Sequence, residues 1–448
     1  MIILWTDALI YLLLSGILLL TVIMVRKPHL QRPLKKISHS KSGMVSLVVL
    51  LFFTTIGLID SIHFKAQTQQ SQEVISLLDY FTRPLTEKVE KTYSAPFAAY
   101  LYSKEMIVDG QGKEYWGYPR LKYGGAHLKN PEQQKTADII KKATVGFGKG
   151  LGLCLLFYLL LLWSYARDHH QALFAPGATR AVMITLTVLV SVFYCLFYLS
   201  TWYHVLGTDK VGEDVFYQTL KSIRTGLVIG SLTTMIMLPL AILFGIMAGF
   251  FRGWVDDVIQ FIYTTLNSIP GVLLIAASIL MVQVYMANHP EQFNSLLVRA
   301  DMRLLFLCMI LGVTSWTGLC RMLRAETLKL REMEFVLAAE SLGVTRPMIL
   351  FRHILPNVMH IVLISVVLDF SSLVLAEAVL SYINIGVDPT TYSWGNMING
   401  ARLEMARDPV VWWSLTAAFV FMFALVLAAN LFADTVRNAF DPRRAEHA

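Results

Sequence analysis

The sequence predicts an all-α integral membrane protein with about nine transmembrane helices, and three observations carry that prediction. Of its 448 residues, 55% are hydrophobic and only 15% are charged, against about 45–50% apolar and about 25% charged in a soluble domain. The apolar residues fall in blocks of about 20, the length that crosses a bilayer as a helix. The Lys and Arg residues behind the net charge of +7 flank those blocks and form no single patch. They read as topology signals, not as a nucleic-acid surface.

The blocks lie near residues 4–25, 43–61, 147–165, 180–202, 224–250, 258–287, 303–320, 358–382 and 411–434, two of them long enough to tilt or to continue as interfacial helix. The first is not patterned as a cleaved signal, since Asp7 lies near its start while Arg26 and Lys27 follow it; it is expected to be a retained anchor with its N-terminus outside. Arg26, Lys27, Arg32, Lys35, Lys36 and Lys41 mark the first loop as cytoplasmic. Arg321, Arg324, Lys329, Arg331, Arg346 and Arg352 do so for the loop between the seventh and eighth blocks, and Arg437, Arg443 and Arg444 for the tail. The loop near 166–179 then falls inside as well. The loops near 62–146, 203–223, 288–302 and 383–410 fall outside, and the basic character of the first is no objection, because long loops cross largely regardless of charge. Cys154, Cys195, Cys308 and Cys320 sit in or at the edge of apolar blocks with no metal-site spacing, and read as small packing residues.

The external segment 62–146 is too long for a connector and is expected to form a small domain. Gln70 to Tyr93 has Val74, Leu77, Leu78 and Phe81 at helical spacing, interrupted at Pro84. Asn130-Pro131-Glu132 is a helix start whose helix runs on into the third span. Tyr115 to His127, rich in Tyr, Gly and Trp, reads equally as a contact surface or as a loop packed on itself.

The most informative segment is the cytoplasmic loop 321–357. Residues Glu332 to Leu342 favour helix, with Phe335, Ala338, Ala339 and Leu342 at i, i+3, i+4 and i+7 as a narrow stripe. Gly343 suits a left-handed helix end. Thr345 can cap a second helix that tolerates Pro347 in its first turn, and Leu355-Pro356-Asn357 is expected to break that helix before the next span. Two short helices joined at a glycine, bearing small residues, suit docking against another protein. On the residues alone, an interfacial helix resting on lipid fits as well.

A resemblance decides between them. Ala338, Ala339, Gly343, Ile354, Leu355 and Pro356 resemble the cytoplasmic signature of binding-protein-dependent ABC importer permeases, Glu-Ala-Ala, three residues, Gly, then a stretch ending near Ile-Leu-Pro; Leu337 stands where that family often has its first Glu. Gly207, Thr208, Asp209, Gly212, Asp214 and Val215 resemble the external motif of the C-type subunit of the dipeptide/oligopeptide (peptide/nickel) importers, with Glu213 in place of the usual Arg. Gly249, Phe250, Gly253, Trp254, Val255 and Asp256 are similar to the family's turn after its second span, with Arg252 in place of a Gly. Ser268-Ile269-Pro270, Glu377-Ala378, Leu380-Ser381, Gly386-Val387, Ser393-Trp394-Gly395 and Asp441-Pro442 follow in the family's order. The set covers about residues 200–444.

The resemblance implies a six-helix permease core over 180–434, with the coupling loop at 321–357 and a cytoplasmic tail at 435–448. The remainder looks added: an N-terminal membrane hairpin, 1–61, an external domain, 62–146, and a further span and cytoplasmic loop, 147–179. It implies a bacterial inner-membrane subunit paired with a homologous permease, two ATPase subunits docked below through Glu332, Phe335, Ala338, Ala339, Leu342, Gly343, Ile354, Leu355 and Pro356, and an external solute-binding protein. Peptides are the implied cargo, with antimicrobial peptides or nickel as alternatives within the class. No cofactor or metal is implied. No G-x-x-x-x-G-K-[ST] loop occurs; in the run Gly146, Gly148, Gly150 and Gly152, Lys149 is followed by Gly150 where Ser or Thr is required. The chain is thus expected to leave ATP hydrolysis to its partners.

Asp369 and Glu377 lie within the eighth span, where acids are costly and point to function. They fall within about a quarter turn of each other and are the candidate pathway residues. Glu377 is expected near the outer end, within reach of water, in packing or gating. His204 and His353 read as ordinary polar contacts. An ion-coupled secondary transporter would need a coupling-ion site near broken spans, and a membrane enzyme a clustered nucleophile, base or metal set; neither is evident. The topology has a direct test. Reporter fusions after Lys41, Lys113 and Arg444 are expected to report inside, outside and inside, and an outside signal at Arg444 would overturn it.

Overall fold

The computed structural model describes residues 4–26, 28–68, 71–108, 114–167, 176–293 and 295–440. Asp441, Pro442, Arg443 and Arg444, and most of the loop near 166–179, lie outside them. The helices are α1 (Trp5–Arg26), α2 (Pro28–His39), α3 (Lys41–Asp60), α4 (Leu77–Phe81), α5 (Arg83–Thr86), α6 (Pro131–Arg167), α7 (Pro176–Ser200), α8 (Val215–Phe251), α9 (Trp254–Ser268), α10 (Gly271–Asn288), α11 (Leu296–Ser315), α12 (Thr317–Arg331), α13 (Glu334–Ser341), α14 (Arg346–Ile349), α15 (Leu355–Tyr382), α16 (Trp394–Glu404) and α17 (Trp413–Phe440). Among the described residues seven helices are long and apolar enough to cross a membrane, in α3, α6, α7, α8, α10, the run Arg346–Tyr382 and α17. The other two expected spans are helical as well. In α1 the shorter apolar stretch is Trp5–Leu19, and α11 carries Arg299, Asp301 and Arg303. The chain is an all-α multi-pass membrane protein. Strands among the described residues are confined to two hairpins of the external segment, β1 (His63–Thr68) with β2 (Ser71–Ser76) and β3 (Glu105–Val108) with β4 (Glu114–Gly117).

Three local expectations are corrected. The stretch Gln70 to Tyr93 is not helical from its start: β2 pairs Val74 with Lys65, and the helix begins only at Leu77. There the Ser76 hydroxyl accepts from the Asp79 N–H while the Asp79 carboxylate accepts from the Ser76 N–H, a capping box that fixes the start. Pro84 does not interrupt a helix but sits in the first turn of α5, where a missing N–H costs nothing. The block 258–287 is two helices, α9 and α10, because Ile269 precedes Pro270 and is extended (φ −92°, ψ 132°), the conformation a following proline imposes.

The chain forms two compact units. One comprises 38–225 with 392–428; the other comprises, among described residues, 4–37, 226–391 and 429–440. In the second, α1 is tied to α11: the Asp301 carboxylate accepts from the backbone N–H groups of Trp5 (3.0 Å) and Thr6 (3.4 Å) and from the Thr6 hydroxyl. A carboxylate at a helix N-terminus satisfies otherwise orphaned donors and opposes the helix dipole. In the same unit α8 meets α12 closely. A Cβ at Gly245 would lie 2.8 Å from Leu323 Cβ, and one at Gly249 would lie 2.6 Å from Thr327 Cβ.

In the first unit α6 and α7 pack through Gly146 and Gly150; a Cβ at Gly150 would stand 2.7 Å from the Ser191 backbone. Small residues four apart let membrane helices approach to backbone contact. At the end of α3, Lys221 of α8 meets Asp60 (2.8 Å) and Asp79 (2.8 Å), and the Tyr217 hydroxyl donates to Asp79 (2.8 Å). Opposite charges here offset each other's desolvation. Asp79 is held below the usual carboxylate range: burial works against this, and the Lys221 ammonium outweighs it.

The segment 62–146, expected to be external, is fastened to the loop before α8 by a buried triad. His204 Nδ1 lies 2.7 Å from Asp214, and Nε2 lies 3.5 Å from Glu90, an ion pair longer than a good hydrogen bond. Glu90 also accepts from the backbone N–H groups of Lys122 (2.9 Å), Tyr123 (2.8 Å) and Gly124 (3.0 Å). Burial opposes charge on His204 and Glu90. The two carboxylates nevertheless raise His204 to about 9, and the imidazolium with three N–H donors holds Glu90 down to about 2. A histidine raised above its unfolded value near 6.5 contributes stability that is full below that value and lost as pH rises through about 9. The Glu90 contribution is present above its unfolded value near 4.5 and lost as pH falls through about 2. The external segment is therefore expected to resist protease across neutral pH and to loosen above pH ~9. His204→Ala, which strands two buried carboxylates, is expected to cost about 3–5 kcal/mol and to expose the segment at pH 7. Equal digestion of variant and parent would exclude the triad as the fastening.

Candidate functional site

The candidate coupling site is built by α12, α13, α14 and the start of α15. Its foundation is polar. Arg324 of α12 holds Asp256 of α9 through two bonds of 2.6 Å, a bidentate pair that fixes both helices. Those hydrogen bonds keep the Asp256 carboxyl below its usual range. Arg331 donates to the Phe250 carbonyl (2.7 Å) and Arg252 to Glu332 (2.6 Å). Arg252 and Gly253 both have positive φ, 56° and 60°. That explains why a Gly pair suits this turn; the left-handed conformation costs a non-glycine residue roughly 1–2 kcal/mol, and here the Arg252 side chain is turned toward Glu332.

On this foundation α13 runs Glu334–Ser341, so Glu332 lies in the turn before it and Leu342 caps it. The helix ends as the glycine predicted. Gly343 has φ +75°, its N–H donates to the Glu340 carbonyl (3.0 Å), and the Val344 N–H donates to Ala339 (3.1 Å), the paired bonds of a left-handed helix end. A Cβ at Gly343 would meet nothing within 4 Å, so conformation and not space demands glycine.

The four-residue stripe divides. Ala339 is buried, with Val336, Ile349 and Ile354, in a cluster that includes Phe250, Leu323 and Val358. Phe335, Ala338 and Leu342, at i, i+3 and i+7, face outward. Sequence reasoning missed Val336, whose i, i+3 spacing to Ala339 was the available signal. Leu342 is 83% exposed, and Phe351, also missed, is 71% exposed; Met348 is exposed too. The expected break at Leu355-Pro356-Asn357 does not occur. The helical run continues from Arg346 to Tyr382, and the adjustment is one wide turn, Leu350–Ile354, in which the Leu355 N–H reaches back to the Leu350 carbonyl. Proline at 356 supplies no N–H and fits the first turn of α15; Ile354 is buried, Leu355 half-buried and Pro356 exposed. His353 lies beside Phe335, ring centroids 6.3 Å apart. The result is a rigidly mounted helix pair with an open apolar face rimmed by Glu332, Glu334, Arg346 and Arg352.

The external motif is brought together elsewhere, in the other unit. Gly207 and Gly212 have φ of +74° and +85°. A Cβ at Gly212 would lie 1.9 Å from the Glu90 carbonyl oxygen, so the external segment can approach only over glycine. The Thr208 hydroxyl donates to the Thr92 carbonyl (2.9 Å) and accepts from the Ser94 N–H (2.7 Å). The Asp209 carboxylate accepts from Val211 and Glu213 N–H groups at 2.9 Å, and Asp214 from the Phe216 N–H at 2.9 Å. Glu213, at the position of the usual Arg, accepts from Gln218 (3.0 Å) and Tyr392 (3.2 Å).

Asp369 and Glu377 are not alike. Glu377 is 2% exposed and accepts from the Ser381 hydroxyl at 2.7 Å; it is not at a wet outer edge but inside the packing. Asp369 is half-buried. Lys221 and Glu90, both missed in the sequence, are matched by residues more than 30 positions away, which local reading cannot pair.

Residues 241–446 match the family described as the binding-protein-dependent transport system inner membrane component. The chain is 31% identical over 243 residues to the dipeptide transport system permease protein DppC of Lactococcus lactis subsp. cremoris, covering 54% of this chain and 65%, less than two thirds, of that one. It is 32% identical over 239 residues to the oligopeptide transport system permease protein OppC of Mycobacterium tuberculosis, covering 53% of this chain and 76% of that one. Among solved structures, it is similar to a chain of the MetNI methionine ABC transporter in inward-facing conformations, at a TM-score of 0.35 and 16% identity, covering 49% of this chain and 94% of that one. By the family match, which takes in the cytoplasmic loop 321–357, and by these two permease relatives, the chain belongs to the inner-membrane permeases of ABC peptide importers, in the C-type branch.

Proposed function

We propose that this permease forms, with a homologous partner, the path by which an external solute-binding protein delivers peptides into the cell, and that two separate ATPase subunits drive it by docking on the α13–α14 surface. The observation that carries the reading is the open face of Phe335, Ala338, Leu342, Met348 and Phe351 on a helix pair whose other side is buried. An apolar face presented by a short, firmly packed helix suits a groove on another protein. Residues 180–434 are read as the permease core and 1–179 as an addition; the peptide cargo follows from the relatives' names and the external motif. The two candidate pathway acids, Asp369 and Glu377, sit on the helix that continues from this surface.

Ala338 gives the cleanest test, because it is exposed and its replacement leaves the loop's own packing intact, as replacement of buried Ala339 would not. Ala338→Arg and Leu342→Glu are expected to insert normally but to lose ATPase subunits on purification by at least tenfold, about 1.4 kcal/mol of docking, with peptide uptake falling in step. If α13 merely rested on lipid, Ala338→Arg would be harmless, since a basic residue suits the cytoplasmic interface; wild-type retention and uptake would therefore refute docking. Gly343→Val is expected to destabilise the turn by roughly 1–2 kcal/mol through its left-handed backbone alone, with a smaller loss of retention than Leu342→Glu.

A further inference from the structure

Among the described residues, Asp369 is an acid inside a span whose side chain makes no bond within the fold. Asp369 stands near the middle of α15, about 20 Å of helix from either end. Its carboxylate has no hydrogen-bond or ion-pair partner among the described residues. By contrast Glu377, two turns on, is buried and bonded to Ser381. Phe370 meets α8, its ring 2.5 Å from where a Cβ at Gly230 would be. Asp369 is half-buried on the adjoining side. With Ser372, exposed, and Ala376, half-buried, it forms an i, i+3, i+7 line between exposed Leu368 and Leu375. The Ser372 hydroxyl donates to the Asp369 carbonyl (2.8 Å), which leaves its oxygen free to accept.

A carboxylate at this depth facing lipid is costly, and such groups face a water-filled cavity or a countercharge instead. This unit supplies no countercharge to it. Carboxylate oxygens beside a hydroxyl acceptor, with a small residue one turn further on, complement a donor-only cation with several N–H bonds. We propose that Asp369, with Ser372, recognises an ammonium group of the cargo as it crosses the membrane. This rests on the peptide-import reading and deepens it, giving the path a preference of its own beyond that of the delivering protein. The ammonium can be the peptide's N-terminus or a lysine side chain.

The test uses the whole importer with its binding protein in liposomes, and measures initial uptake corrected for capture by the binding protein. One arm compares trialanine with its desamino analogue; the other compares Ala-Lys-Ala with Ala-Gln-Ala. In one arm the wild type is expected to favour the ammonium-bearing peptide at least tenfold. That preference should collapse toward unity in Asp369→Asn and return in Asp369→Glu, with subunit retention unchanged. Collapse in the first arm identifies the N-terminus, and in the second the side chain. An Asn variant with wild-type preferences overturns the proposal. So does loss of the partner permease on purification, which would make Asp369 the mate of a cation on that subunit. A wild type that takes up none of these peptides overturns the import reading itself, and this proposal with it.

Discussion

The constraint on which the rest depends is that hydrocarbon does not solvate charge. An Asp, Lys or Arg at the centre of a spanning helix costs about 2.5–3.5 kcal/mol on insertion scales, so each ionisable group near a span has to be answered. The answers account for much of the architecture. Lys221 is met by Asp60 and Asp79. Asp301 is met by the N-terminus of α1. Arg303 is met by Asp388 at 3.5 Å, and Arg324 by Asp256. These pairs are less a source of net stability than a specification of which helices must be neighbours, since breaking one leaves a stranded charge.

Glycine does the complementary work where helices or loops must touch. Gly146 and Gly150 bring α6 to α7, Gly245 and Gly249 bring α8 to α12, and Gly212 admits the Glu90 backbone. The segment 62–146 is thus joined to the loop 207–215 at both levels, by close backbone approach and by the Glu90–His204–Asp214 triad. Thr208 and Asp214 are both nearly inaccessible and are taken up by the junction with the segment 62–146.

What was legible in the sequence follows from the range of the forces involved. Membrane spans are written in some 20 consecutive residues, and the start at Pro131 and the stop at Gly343 are written in one turn each, so these could be read. The α13 stripe was readable only in part. Spacing puts Phe335, Ala338 and Leu342 on one face, but which face is buried depends on Ile349, Ile354 and Leu323 arriving from other segments. Pro356 was misread because a proline can either end a helix or open one, and the wide turn at Leu350–Ile354 that lets α14 pass into α15 has no sequence mark. The β1–β2 hairpin was hidden because Val74, Leu77, Leu78 and Phe81 fit a helical period across what is a strand followed by a helix. Lys221, Glu90 and Asp301 were invisible as partners because their mates are remote in the chain.

The absence of a break at Pro356 has a mechanical consequence. The helical run Arg346–Tyr382 has 37 residues, roughly 55 Å of rod. It begins at the exposed residues Met348 and Phe351 and carries Asp369 about 30 Å further along. Loads applied to the open face of α13 enter that rod through Val336, Ala339, Ile349 and Ile354, all of which are buried and therefore cannot shift independently at the packing density of a protein interior. The Arg324–Asp256 pair and the close contact of Gly249 with Thr327 tie the other side of the same mount to α8 and α9. The regular ladder of that rod is interrupted at the wide turn, where the four-residue bond is replaced by the longer reach from Leu355 to Leu350; such turns recur at functional positions in helices.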